Sequence, residues 1–258
     1  MYYFVYQISR KNITIAVIAT LLFSINAMRV ESVAWAAEHK DLLYVLFYMA
    51  ALIFYVKYIE KLRDVGKGFI LKYFLFTFLF FILAVFSKVM AVSIVGPMVM
   101  LDYFYSRKLS VRMVLEKIPF VAVSIAIGLT QINAVASAGT IDKSNLFTFA
   151  DRLLIVCRNL MIYFYKMIVP VNLSAFHPYP SRLAGESWPV EFYIAPVFVL
   201  LLAVLLLWSF RKTRIIVFSI GFFVAAIALV LQFVAIGPAM FNERYSLVPA
   251  VALSFLLA

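Results

Sequence analysis

Residues 147–170, FTFADRLLIVCRNLMIYFYKMIVP, decide the topology of this chain. The stretch is long enough and apolar enough to cross a bilayer, but it carries Asp151, Arg152, Arg158 and Lys166. A charged side chain at the bilayer centre costs about 2.5–3.5 kcal/mol on insertion scales. Whether this stretch crosses or lies at the surface therefore determines the side on which every later loop falls.

The composition indicates a membrane protein. Of the 258 residues, 66% are apolar and only 14% are charged, with a net charge of +11. A soluble domain is about half apolar and about a quarter charged, and the mean hydropathy here is +1.03. These values exclude a soluble enzyme and a disordered chain. A pI near 9.7 elsewhere suggests nucleic-acid binding, but basic residues between apolar runs are typical of a polytopic membrane protein, so no nucleic-acid partner is expected.

Eight apolar runs are long enough, or nearly so, to cross about 30 Å of hydrocarbon as helices. We therefore predict an all-α polytopic membrane protein with about eight spans. The last run is short and Met1–Tyr6 reads as the end of an earlier helix, so residues 1–258 are expected to be part of a longer membrane domain. The runs are residues 13–28, 42–59, 69–87, 89–105, 118–135, 190–210, 215–236 and 246–258.

The distribution of basic residues favours a surface position for 147–170. If this stretch does not cross, the loops at 10–12, 57–72, 107–117 and 211–214 share one side, which then holds 14 basic and four acidic residues, counting Asp102 just before the third loop. The other side then holds nine basic and eight acidic residues. The positive-inside rule places the basic loops in the cytoplasm. We therefore expect 147–170 to be an interfacial or re-entrant helix on the extracytoplasmic side.

The densest polar cluster is residues 29–41, RVESVAWAAEHKD. Glu31 and Glu38 are seven residues apart, which places them near one face of a short predicted helix. A carboxylate there, including Asp41, could be a general base or could hold a divalent metal. The alternative is an amphipathic linker with solvated charges, in which Trp35 anchors the interface.

Several basic residues could bind an anionic headgroup or contact a phosphate, or could only snorkel to the surface. Lys88 lies in a short outer turn between two spans, and Arg158 lies on the interfacial segment. Asp102, with Tyr103, is expected to form a polar pair at the inner end of a helix. The single cysteine, Cys157, excludes an intramolecular disulfide. Other candidate site residues on the extracytoplasmic side are Arg29, His39, His177, Tyr179, Glu243 and Arg244.

Four segments together resemble a known family. RVESVAWAAEHKD at 29–41 resembles the motif HP-x-RVESVAW-xx-ERKD, and SKVMAVS at 87–93, with the later Pro97 and LDY at 101–103, resembles SKPMAVT…P…LDY. PVNLSAFHPYP at 170–180 is similar to P-x-NLS-x-FYP-x-P, and ERYSLVP at 243–249 is similar to DRYTYLP. These motifs belong to bacterial multi-pass membrane proteins with tetratricopeptide repeats. That family is similar to the transmembrane and tetratricopeptide-repeat-containing protein O-mannosyltransferases.

The resemblance implies a GT-C glycosyltransferase fold in the bacterial inner membrane, followed by tetratricopeptide repeats. Its implied activity is inverting transfer of a sugar from a polyprenyl-phosphate donor to a protein or glycan hydroxyl on the extracytoplasmic side. It favours Glu31 as an acid/base or metal-supporting residue, with Glu38 and Asp41 as second choices. The implied phosphate-binding residues are Lys88, Arg158 and Arg244, with Arg29 as a further candidate.

The chain departs from the family pattern at two places. Asn26-Ala27 stands where the motif has His-Pro, and His39 replaces its arginine. The base of GT-C enzymes usually lies in a first outer loop, which would precede residue 1. Two other functions therefore stay open at this point: a transporter or flippase for a lipid-linked sugar, and a non-catalytic scaffold that presents protein-binding repeats.

Overall fold

A computed structural model describes residues 1–64, 71–137, 147–174, 176–179, 187–233 and 239–258, apart from the side chains at 64, 135 and 136. Within these ranges the regular structure is almost wholly helical, which confirms the predicted all-α class. The α-helices are α1 Tyr2–Ile8, α2 Ile13–Ile25, α3 Val30–Ala34, α4 His39–Asp64, α5 Leu71–Ser87, α6 Val95–Phe104, α7 Val111–Leu115, α8 Ile118–Ser137, α9 Phe149–Ile168, α10 Val190–Ser209, α11 Arg214–Ile227 and α12 Leu247–Leu257.

Short elements connect these helices. A small antiparallel sheet pairs β1, His177–Pro178, with β2, Ala239–Phe241, and its register places His177 opposite Phe241. The 3-10 helices among the described residues are Ala27–Arg29, Ala36–Glu38, Val89–Ile94, Ala228–Val230 and Glu243–Ser246.

Three helical segments are long and apolar enough to cross a membrane: Ala36–Arg63, Val111–Ala134 and Val190–Ser209. A fourth span is possible if Ile13–Ile25 and Ala27–Ala34, which meet at 65°, count as one bent segment. The described residues therefore support a membrane-spanning helical protein. The remaining spans among the predicted eight stay a prediction.

The core forms where small residues let helices approach closely. A Cβ added to Gly96 on α6 would lie 2.6 Å from the Cβ of Ala225 on α11, so a larger residue at 96 would force these helices apart. Around this contact, buried aromatic rings such as Tyr48, Phe81 and Phe222 fill the space between helices. Glycine therefore has a packing role at position 96, as small residues often have in membrane helices.

α9 and α10 pack side by side and run in the same direction. The Trp188 indole nitrogen donates to Asp151 Oδ1 at 2.7 Å, just before α10 and near the start of α9. Farther along both helices, the rings of Phe164 and Phe198 are 5.6 Å apart at their centres. The two helices are therefore parallel, whereas consecutive membrane spans joined by a loop on one side are antiparallel.

Two groups of polar residues lie at opposite ends of α4. Asp41 is near its start, whereas Tyr55 and Tyr58 are near its end, and 17 helical residues span about 26 Å. α6 repeats this arrangement, since Lys88 lies just before the 3-10 turn that leads into it and Asp102 lies near its end. The apolar bundle thus separates two polar clusters.

The Asp102 cluster comprises Tyr55, Asp102, Arg107, Glu116 and Lys117. Tyr55 donates to Asp102 at 2.8 Å and accepts from Lys117 Nζ at 2.7 Å, while Lys117 also pairs directly with Asp102. Arg107 contacts both Asp102 and Glu116. Asp102, at 1% exposed, therefore pairs with α4 and with the residues around the start of α8.

The predicted pair of Asp102 with Tyr103 is wrong. The Tyr103 ring packs 5.4 Å from that of Phe210 and below the guanidinium of Arg214. Consecutive helical residues point in directions about 100° apart, so they seldom share a partner. The position of Asp102 at the helix end was correctly predicted, but its partners come from distant segments.

Replacing Asp102 with Ala should destabilise the protein strongly. The change leaves Lys117 buried without a carboxylate, and breaking a buried pair costs about 3–5 kcal/mol in the free energy of unfolding. The matched control is Arg112→Ala, which removes an exposed partner of Glu116 and should cost at most about 1 kcal/mol. Thermal unfolding of both variants in detergent measures the difference, and equal midpoints would contradict a structural role for Asp102.

Candidate functional site

The segment that carries Glu31 and Glu38 is not one helix, so that part of the prediction is wrong. α3 ends at Ala34, Trp35 adopts an extended conformation with φ −91° and ψ 108°, and a 3-10 turn follows. Asn26 fixes the start of the segment, since its side chain accepts from Met28 N at 3.0 Å and donates to Met167 O at 2.8 Å. The break at Trp35 reorients the chain between the two glutamates.

Glu31 and Glu38 nevertheless converge, because both bind Arg244. The Nη1 atom of Arg244 lies 3.0 Å from Glu31 Oε1 and 3.2 Å from Glu38 Oε1. Its guanidinium also lies over the rings of Trp35 and Tyr245. Each carboxylate is at most 10% exposed in its side chain, so Arg244 neutralises charge that would be costly to bury alone.

Lys88 and Asp41 form a second ion pair beside the first. Asp41 is completely buried, and the Lys88 ammonium donates to its Oδ1. The same ammonium lies 5.0 Å from the centre of the Tyr245 ring, which Arg244 also contacts. Burial lowers the pKa of the Lys88 ammonium from its ordinary value, and the Asp41 carboxylate opposes that shift.

Arg29 is buried without a carboxylate partner among the described residues. Its Nη1 donates to Ser246 Oγ at 2.6 Å, and its guanidinium lies 4.9 Å from the centre of the Phe23 ring. A buried cation with so few partners provides a site at which an anion is stabilised. Ser246 also donates to the carbonyl of Glu243, which holds it in place.

We call these residues the Arg244 cluster: Arg29, Glu31, Glu38, Asp41, Lys88 and Arg244. Buried polar atoms that have no hydrogen-bond partner among the described residues are concentrated here. Glu31 Oε2, Asp41 Oδ2 and the Nε atoms of Arg29 and Arg244 are among these atoms, and Glu38 Oε2 has only an ion pair with the exposed Lys40 at 3.7 Å. Buried polar atoms are normally satisfied, so this concentration marks the cluster as the place where a polar ligand would find partners.

Glu243 faces away from Arg244 and gathers donors from α9 and the loop that follows it. Its Oε1 accepts from Lys166 Nζ at 2.9 Å and from the Ser174 amide at 3.0 Å, and it lies 3.2 Å from His177 Nε2. Lys166 also donates to Asn172 O at 2.7 Å. The 3-10 turn Glu243–Ser246 thus connects this group of donors with the Arg244 cluster.

Three of the sequence candidates lie elsewhere. Arg158 on α9 pairs with Glu191 on α10 through its Nε and Nη2, at 3.1 and 2.9 Å. Tyr179 donates to Gln232 at 3.1 Å and packs against Phe147. His39 is exposed at the start of α4. Of the family-like loop at 170–180, residues 175 and 180 lie outside the described residues.

A cavity of about 720 Å³ opens beside Glu243, between α9, α10 and the loop that leads to β1. Arg158, Lys166 and His177 line it together with apolar side chains such as Phe198 and Phe241. In the part of the chain that the structure describes, no three His, Cys, Asp or Glu side chains are arranged to hold a metal ion.

Sequence reasoning missed two residues of this site. Ser246, which binds Arg29, and Tyr245, which contacts both Lys88 and Arg244, lie in the ERYSLVP segment directly after a candidate residue. Neither residue type is distinctive in an apolar chain, and only their place next to Arg244 could have identified them.

The chain was compared with protein-family models, with curated proteins and with solved structures, and none of them matches.

Replacing Arg244 with Gln should shift the protonation of Glu31 and Glu38. Without the cation, two buried carboxylates face one another, and both burial and mutual repulsion favour a shared proton. We expect the infrared spectrum at neutral pH to gain a protonated-carboxyl band that wild type lacks. Arg112→Gln is the control, because its partner Glu116 keeps Arg107. Identical carboxyl spectra for both variants would mean that Arg244 does not hold the two glutamates ionised.

Proposed function

We propose that this chain forms the membrane part of a GT-C-type glycosyltransferase, which moves a sugar from a polyprenyl-phosphate donor to a protein or glycan hydroxyl. The Arg244 cluster carries the proposal. In it, Glu31 and Asp41, each with one oxygen that has no hydrogen-bond partner among the described residues, lie against largely buried cations at one end of an apolar bundle. Ionisable residues inside membrane bundles are costly and commonly functional. A lipid-linked phosphate lies at the membrane surface, so a site that binds it must lie there too.

The chemistry needs a base for the acceptor and positive charge for the leaving group. In the proposed reaction Glu31 takes the proton of the acceptor hydroxyl, and the acceptor oxygen forms a bond to the anomeric carbon. The bond from that carbon to the phosphate oxygen breaks on the opposite face, and its electron pair stays on the phosphate. The sugar configuration is therefore inverted.

The ion pairs suggest how the donor would be accommodated. Arg244 and Lys88 each bind a carboxylate, Glu31 and Asp41 respectively. A donor phosphate offers these cations a stronger partner and would release Glu31 to act as a base. Arg29, which has no carboxylate partner among the described residues, would add charge without such an exchange.

The orientation follows from the positive-inside rule. Tyr103 contacts Phe210 and Arg214, so the basic segment 211–214 lies at the Asp102 end of the bundle. The Arg244 cluster at the other end would then face the extracytoplasmic side.

Eight spans would require the shorter apolar helices to cross as well. Leu71–Ser87, Val89–Phe104 and Arg214–Val230 have 16 or 17 residues each. At 1.5 Å per residue they reach about 25 Å, and a short span is accommodated by local thinning of the bilayer. Together with the three long helices, the bent pair and α12, they would complete the predicted bundle.

Replacing Glu31 with Gln in the complete protein should lower the turnover of sugar transfer by about 100-fold to 10,000-fold, the usual contribution of a positioned base. The assay follows the transfer of labelled sugar from a polyprenyl-phosphate donor to a hydroxyl acceptor in detergent. Glu60→Gln is the matched control, since Glu60 contacts Tyr105 near the Asp102 end of α4.

Full turnover by the Glu31→Gln variant would remove Glu31 from the reaction. Donor binding without product in wild type would instead favour a flippase, whose net movement of donor across vesicles can be measured. A complete protein that neither binds nor consumes the donor would overturn the proposal and favour a scaffold.

A further inference from the structure

The cavity beside Glu243 has charged groups at its rim and apolar walls. Arg158 on α9 and Glu191 on α10 lie at one edge, and Lys166 and His177 lie deeper, near Glu243. Phe198 is part of its apolar lining. This combination suits an amphiphile with a charged head and a hydrocarbon tail.

The two cations retain donors that could reach a ligand. Arg158 uses Nε and Nη2 for Glu191 and leaves Nη1 free among the described residues. Lys166 uses two of its three hydrogens, for Glu243 and Asn172. Glu191 is 45% exposed in its side chain, and only its Oε1 engages Arg158. The rim therefore offers an Arg158 N–H donor for a phosphate and a Glu191 oxygen for an ammonium, and the deeper Lys166 adds a second positive charge.

An apolar track leads away from this rim along α10. Ile194, Phe198, Leu201 and Leu205 follow Glu191 at intervals of three or four residues, so all five lie on one helix face. Ile194 is 54% exposed and Leu201 is 64% exposed. Because α10 is long and apolar enough to span the membrane, this track would lie at acyl-chain depth below a rim at headgroup depth.

The cavity occupant would not contact the proposed catalytic carboxylates. Glu31, Glu38 and Asp41 do not line the cavity, and the Glu243–Lys166 pair lies between it and the Arg244 cluster. A molecule in the cavity therefore has no contact with Glu31. This separation favours a resident lipid over a reacting substrate.

We propose that this cavity binds one membrane phospholipid whose headgroup carries both a phosphate and a primary ammonium. The phosphate accepts from Arg158, the Lys166 ammonium adds positive charge from deeper in the cavity, the headgroup ammonium donates to Glu191, and the acyl chains follow the track on α10. Such a lipid joins α9 to α10. The site goes beyond the proposed glycosyl transfer and does not depend on it.

Native mass spectrometry of the purified chain tests the proposal. The protein is exchanged into detergent with equal amounts of phosphatidylethanolamine, phosphatidylglycerol and phosphatidylcholine of identical acyl chains. We expect one phosphatidylethanolamine to remain bound, with about tenfold preference over the other two, because only its headgroup donates a charged N–H bond to Glu191. Equal retention of all three lipids would overturn the proposal.

Variants separate the two halves of the headgroup site. Glu191→Gln should abolish the preference for phosphatidylethanolamine over phosphatidylglycerol, whereas Arg158→Ala should weaken the retention of all three lipids. Arg158→Lys, which preserves the charge, should restore part of that retention. Arg211→Ala, an exposed change in the turn after α10, is the control and should alter nothing.

If Arg158→Ala fails to fold, Glu191→Gln still decides the question, since the Glu191 side chain is 45% exposed and the change keeps its shape. An unchanged lipid preference in Glu191→Gln would contradict the proposed site. So would stronger retention of a polyprenyl phosphate than of phosphatidylethanolamine in the same competition, because the cavity would then hold the donor lipid.

Discussion

Burying a charge among apolar helices is costly unless an opposite charge or a hydrogen-bond partner lies beside it. This constraint organises the structure. Asp41 and Asp102 are almost completely buried, and each has a lysine partner from another segment. The Asp41–Lys88 pair joins the start of α4 to the start of the 89–104 segment, and the Asp102–Lys117 pair joins the end of α6 to the start of α8. Polar residues thus fix the two ends of a bundle whose middle is held by apolar packing.

The turn at 243–246 applies the same constraint to two neighbouring regions. Glu243 and Arg244 are adjacent in sequence but face different sets of partners, the donors around Lys166 and the carboxylates around Glu31. Ser246 adds a contact with Arg29. One short segment therefore lies between the cavity that is proposed to bind a lipid and the proposed transfer site. Because the two sites are adjacent but use different residues, a resident lipid and a reacting donor could occupy the same end of the bundle without sharing contacts.

Particular residues show where sequence reasoning succeeded and where it failed. Periodicity placed Glu31 and Glu38 on one helix face, but Trp35 interrupts the helix and Arg244, more than 200 residues away, brings the two carboxylates together. Asp102 was placed correctly at a helix end, yet its partners Tyr55 and Lys117 could not be inferred. The eight apolar runs predicted a helical membrane protein, whereas helix lengths alone support three spans, or four with the bent pair.

The amino-acid sequence alone establishes the helical class and the membrane environment, because both follow from local composition. Apolar runs in a membrane must satisfy their backbone groups internally, and helices do so within one segment. The sequence also determined which polar residues were candidates, since charges are scarce in such a chain. Which of these residues meet depends on the packing of the helices in three dimensions. Ion pairs such as Arg244 with Glu31 and Lys166 with Glu243 join segments far apart in the chain, and their geometry depends on helix packing and on breaks such as Trp35. No local pattern encodes those distances, so the site exists only in the folded bundle.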